Sequence, residues 1–115
     1  MKISIPKEVK NNEYRVAITP AGVHELVSSG HEVTVQSGAG LGSAISDQEY
    51  QNAGAKIAAS ASDTWAAGDL VLKVKEPIES EYSLLREGLT LFTYLHLAAD
   101  LPLTKELMAK KVTAI

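Results

Sequence analysis

Two stretches set the fold: Asp69-Leu70-Val71-Leu72-Lys73-Val74-Lys75-Glu76-Pro77, and Leu89-Thr90-Leu91-Phe92-Thr93-Tyr94-Leu95 with His96 directly after it. The runs Leu70-Val71-Leu72 and Leu89 to Phe92 are continuously apolar, the pattern of strands covered on both faces, as in a parallel sheet. Segments with helix signals separate them from one another and from further β-branched runs. Working back toward the N-terminus, Ser60 to Gly68, containing Trp65, reads as a short helix and Ala55 to Ala58 as a weak strand. Ser46 and Glu49 form a capping box with Ile45 and Tyr50 as its hydrophobic staple, and Gly54 stops that helix. Val33-Thr34-Val35 is a strand. Thr19 as N-cap, Pro20 at the first helical position and the stripe Val23, Leu26, Val27 predict a helix that ends at Gly30. Lys2 to Ile5 is a strand closed by Pro6. Toward the C-terminus, Glu79 to Leu85 reads as a short helix ended by Gly88. A last helix starts at Asp100 or Leu101 with Leu103, Leu107 and Met108 inward, and Val112 to Ile115 is a final strand. Strands alternating with helices at these lengths predict βαβ units in an α/β open, doubly wound, mainly parallel sheet of flavodoxin or Rossmann type.

The composition narrows the function. The chain has 115 residues, 45% of them apolar, and no cysteine. One domain with a substantial core is expected, burying roughly 65% of the unfolded surface. Disulfides, thiolate metal sites and cysteine nucleophiles are excluded. Eleven Lys and Arg against 14 Asp and Glu give a net charge of −3, which argues against nucleic acid or anionic lipid as the main partner. No run approaches the ~20 apolar residues of a membrane span, and the first eight residues lack the apolar stretch of a signal peptide. A cytoplasmic location is expected. Ending at a strand with no helix to cover it, the sheet is expected to be incomplete at its C-terminal end.

In an open α/β sheet, ligands bind beyond the carboxyl ends of the strands. The polar residues there are Lys7-Glu8 with the loop Asn11 to Arg15, then Lys75-Glu76, then His96. Arg15 carries a planar fork suited to a carboxylate. Lys75 can stabilise charge on a carbonyl oxygen. His96 can exchange a proton near neutral pH. Together they suit a small keto acid or amino acid. Each also has a plain alternative: a solvated loop arginine, a lysine that ends a strand (as Lys73 can by snorkelling), and a histidine that caps the next helix. The loop Ser37-Gly38-Ala39-Gly40-Leu41-Gly42-Ser43 invites a nucleotide reading, but its glycines do not open a helix. A tightly turning loop is the expected use. His24 reads as solvent-facing and Trp65 as core. No spacing of His, Asp and Glu suggests a metal site.

Four motifs, in order, carry a family resemblance that covers the chain from Met1 to Ile115. They are Ile5-Pro6-Lys7-Glu8 with Asn11 to Val23, Gly38 to Ser43, Asp69 to Pro77, and Leu91 to Ala99. The chain resembles the N-terminal substrate domain of bacterial alanine dehydrogenases. It is similar, more distantly, to the related domain of proton-translocating transhydrogenases, where the stretch matching Leu95-His96-Leu97 usually lacks the histidine. Saccharopine dehydrogenases resemble it less. The resemblance implies NAD-dependent deamination of L-alanine to pyruvate and ammonia in a homo-oligomer or with a complementing chain. It implies that Arg15 binds the substrate carboxylate, Lys75 contacts the substrate and polarises its carbonyl, His96 serves as acid/base or holds the keto oxygen, and Tyr94 lines the pocket. It also implies that the NAD-binding domain and a catalytic aspartate lie outside these residues. Residues 1–115 are then a partial substrate-binding domain, inactive alone. The alternatives are a stand-alone small-carboxylate-binding module and a subunit of a split, transhydrogenase-like enzyme.

Overall fold

The computed structural model describes all of residues 1–115. Its elements are β1 (Lys2–Ile5), α1 (Pro20–Ser28), β2 (Glu32–Gln36), α2 (Asp47–Asn52), β3 (Lys56–Ala58), α3 (Ala61–Ala67), β4 (Leu70–Lys75), β5 (Thr90–Tyr94), α4 (Leu101–Ala109) and β6 (Thr113–Ala114), with a 3₁₀ segment, Glu79–Leu84, joining β4 to β5. All six strands are parallel, in the order β3-β2-β1-β4-β5-β6. The sheet is thus wholly parallel and of the Rossmann order, and the direction of winding reverses between β1 and β4.

Local chemistry sets the helix starts. Thr19 accepts from the Gly22 N–H ahead of Pro20. Ser46 and Glu49 close their capping box in both directions. Ser60 caps α3 through the Asp63 N–H, and Asp100 caps α4 through the Leu103 N–H. At the other end of α3, the Arg86 guanidinium donates to the carbonyls of Trp65 and Gly68.

Two apolar clusters lie on opposite faces of the sheet, because successive strand residues point to opposite sides. Ile3, Ile5, Val33 and Val35 pack with Val23 of α1 and Tyr50 of α2. Val71, Leu89 and Leu91 pack with Trp65 of α3 and with Leu103 and Leu107 of α4.

The short helix expected at Glu79–Leu85 is a 3₁₀ helix over Glu79–Leu84. Two expectations need correction. Met108 is 74% exposed; Leu103 and Leu107, four residues apart, share the inward face, and Met108 lies about 100° further round the helix. Phe92 is 52% exposed, so β5 is covered on one face only. The helices that follow β3, β4 and β5 pack on the Val71–Leu91 side, and on the other side α1 and α2 lie over β2 and β3.

Candidate functional site

The crevice outside the strand ends at the winding reversal is the expected binding place in such a sheet. Lys7 and Glu8 leave β1 there, and Lys75 and Glu76 leave β4. Lys75 and Tyr94 are register partners on β4 and β5, and His96 comes two residues later. Arg15 and Tyr94 line one groove of 680 Å³ with Leu72, Val74, Phe92 and Ile115. Arg15 also borders a second cleft of 270 Å³ with Lys7, Glu13 and Gly42. Lys75 and His96 line neither, although both sit at the same strand ends.

Arg15 is held by Glu13. Its Nε donates to Glu13 Oε2 at 2.9 Å and its Nη2 to Oε1 at 2.7 Å. The hydrogen bonds from Arg15 hold the Glu13 carboxyl down at about 2. The side edge of the guanidinium is therefore engaged, while Nη1 and the outer edge make no side-chain hydrogen bond to the protein. Glu13 had no mark in the sequence beyond its place two residues before Arg15.

His96 adopts a left-handed backbone (φ 54°) and is largely exposed. Its side chain caps no helix. Its Nδ1 lies 3.7 Å from Oε2 of the buried Glu76, whose Oε1 pairs with Lys10. Burial works to raise the Glu76 pKa, but the Lys10 hydrogen bond, its own backbone N–H and the nearby positive charges bring it below the usual value.

Lys73 does not snorkel. It is 5% exposed, with Nζ 3.4 Å from Glu8 Oε1 and 3.1 Å from Glu81 Oε2. Burial pushes the Glu81 carboxyl up despite Lys73. Glu8 comes from the far end of the chain, so no local pattern marks this buried trio.

The glycine loop does not fit a pyrophosphate. The Gly38 N–H already donates to the Asp47 carboxylate at 2.9 Å, and Ser37 Oγ donates to the same group. A Cβ on Gly40 would lie 2.7 Å from the Ile45 carbonyl oxygen, and one on Gly42 only 2.5 Å from the Tyr14 carbonyl oxygen. Ser43 Oγ donates to that same Tyr14 oxygen. The loop is a tight seat for the segment that carries Arg15. No group of three or more His, Asp or Glu side chains could hold a metal ion, and no helix is long and apolar enough to cross a membrane.

The family model for the alanine dehydrogenase/PNT N-terminal domain matches residues 4–115. The chain belongs to that family. It is 61% identical over all its 115 residues to an alanine dehydrogenase of Mycolicibacterium smegmatis, of which it spans 31%. Superposed on a solved L-alanine dehydrogenase, this alanine dehydrogenase/PNT domain gives a TM-score of 0.97 at 48% identity, covering 100% of this chain and 32% of the other. A transhydrogenase from Sinorhizobium meliloti gives 0.91 at 35% identity, covering 99% and 34%. The chain thus spans about a third of the length of the relatives it matches.

Proposed function

We propose that residues 1–115 are the N-terminal, substrate-holding part of a cytoplasmic, NAD-dependent L-alanine dehydrogenase, which converts L-alanine, NAD and water to pyruvate, ammonia and NADH. The observation that carries this reading is the set of Arg15. Glu13 fixes one edge of its guanidinium and leaves the other edge open beside Tyr94, at the strand ends where Lys75 and His96 also emerge. In this reading the open edge takes the substrate carboxylate as a bidentate pair. Lys75 donates to the keto oxygen of pyruvate and stabilises the negative charge that develops on it. His96 moves the proton to and from that oxygen, with Glu76 behind its Nδ1. Tyr94 walls the groove.

The nicotinamide cofactor supplies the hydride acceptor. The crowded glycine loop offers it no seat, and in this reading its domain lies outside these residues, in the same polypeptide of a homo-oligomer or in a complementing chain. The likeness to a transhydrogenase over 99% of the chain supports one second reading, a subunit of a split enzyme of that kind.

Pyruvate titrated into the chain and followed by NMR tests the assignment. Saturable binding is expected, and Arg15→Lys should weaken it by ~10- to 100-fold, the worth of a charge-assisted bidentate pair. Equal binding by Arg15→Lys, or none by the unsubstituted chain, contradicts it.

A further inference from the structure

We propose that Glu8 is the positioning residue for Lys75: its buried carboxylate takes the backbone N–H groups freed by a break in the β4 ladder and so fixes the strand end that presents Lys75. The inference rests on Lys75 facing the substrate.

The break is visible in the register. Leu70, Val71 and Leu72 pair with Thr90, Leu91 and Phe92, but the next partner of Tyr94 is Lys75. From Leu72 to Lys75 is three steps on β4, against two from Phe92 to Tyr94 on β5. This one-residue bulge leaves part of the strand without a ladder partner and re-aims the residues after it. The strand on the other side offers no replacement, because β1 pairs with β4 only at Ile3–Leu70 and Ser4–Val71. Buried N–H groups need an acceptor. Glu8 supplies it: Val74 N–H donates to Oε2 at 3.1 Å and Lys75 N–H to Oε1 at 3.0 Å. The Glu8 side chain is 2% exposed, and its charge is met by Lys73, which Glu81 holds from behind. A carboxylate with one oxygen for each of two adjacent amides defines the strand end more tightly than a single acceptor would.

Two substitutions separate positioning from simple loss of a buried charge. Glu8→Gln keeps the shape but leaves one acceptor oxygen, with an NH₂ facing a backbone donor. Glu81→Gln alters the charge of the same trio and leaves the Glu8 hold on the backbone intact. The test joins residues 1–115 to the remainder of the Mycolicibacterium smegmatis enzyme, and reads hydrogen exchange at Val74 and Lys75 together with pyruvate kinetics. Glu8→Gln should speed exchange at both amides and lower kcat/KM by up to ~100-fold, the cost of a misplaced reacting group; Glu81→Gln should leave both near the unsubstituted values. Unchanged exchange and kinetics in Glu8→Gln, or an equal loss in Glu81→Gln, overturns the inference. If Glu8→Gln fails to fold, the unsubstituted protein decides. Protection of both amides supports the Glu8 clasp, and rapid exchange there rules it out. Lys75→Met keeps the underlying reading separate: full activity in that variant removes Lys75 from the chemistry and with it the functional half of the inference, whereas the exchange result tests the Glu8 clasp regardless.

Discussion

Glu13 and Arg15, two residues apart, form a clamp whose strength depends on pH. The Glu13 carboxyl is held at about 2 against its ordinary 4.5. A carboxyl with a depressed folded-state pKa contributes stability that is present above its unfolded value and lost as the pH falls through the folded one. The clamp should therefore be intact above pH 4.5 and fail between 4.5 and about 2. Thermal unfolding measured across that window should show a steeper acid loss for the unsubstituted chain than for Glu13→Gln; equal slopes would mean that the pair is only a solvated contact. Arg15 stood out in the sequence as a candidate from its residue type and its place in the loop after a strand. Glu13 as its orienter did not, because a Glu-x-Arg spacing in a loop does not fix geometry. The snorkelling open to Lys73 as an alternative fails for a related reason. Its partner Glu8 lies 65 residues away, and a lysine in an apolar run looks the same in sequence whether its amine reaches water or a buried carboxylate.

The glycine loop at residues 38–42 and the segment 11–15 act as one element. Gly42 lies where any side chain would strike the Tyr14 carbonyl oxygen. Gly42→Ala should therefore displace the Arg15 segment and cost ~1–3 kcal/mol, as overpacking does. Thermal melts would read the stability loss and pyruvate titration the weakened binding. A variant as stable and as tight-binding as the unsubstituted chain would show the contact to be slack. Helix starts were the most legible elements, since Thr19-Pro20 and Ser46/Glu49 act within four residues of themselves. The 3₁₀ form of Glu79–Leu84 was not legible, because helix-type signals in a six-residue segment do not distinguish hydrogen bonding three residues back from four.

Across the whole molecule, the parallel sheet and its strand ends were readable from the alternation of elements, and the strand ends picked out Arg15, Lys75 and His96 for one edge of the sheet; the strand order was not readable. The uncovered face was not readable. A continuous apolar run records that a strand is apolar, not which of its faces a helix covers, and Phe92, Tyr94 and Ile115 stand exposed on that face. A contiguous apolar patch on a sheet favours association. The chain should self-associate as its concentration rises, and Phe92→Lys should reduce this; size exclusion with light scattering reads both, and a sharp monomer for the unsubstituted chain at high concentration would refute the prediction.

Whether these residues supply the substrate half of an alanine dehydrogenase is read most directly from the L-alanine-dependent rise of NADH absorbance in two samples. One is the 115-residue chain alone. The other is the same residues joined to the remainder of the Mycolicibacterium smegmatis relative. No rate is expected from the first, and from the second a rate that Arg15→Lys suppresses. A rate from the chain alone, or a folded, NAD-binding fusion that leaves alanine untouched, would contradict the assignment.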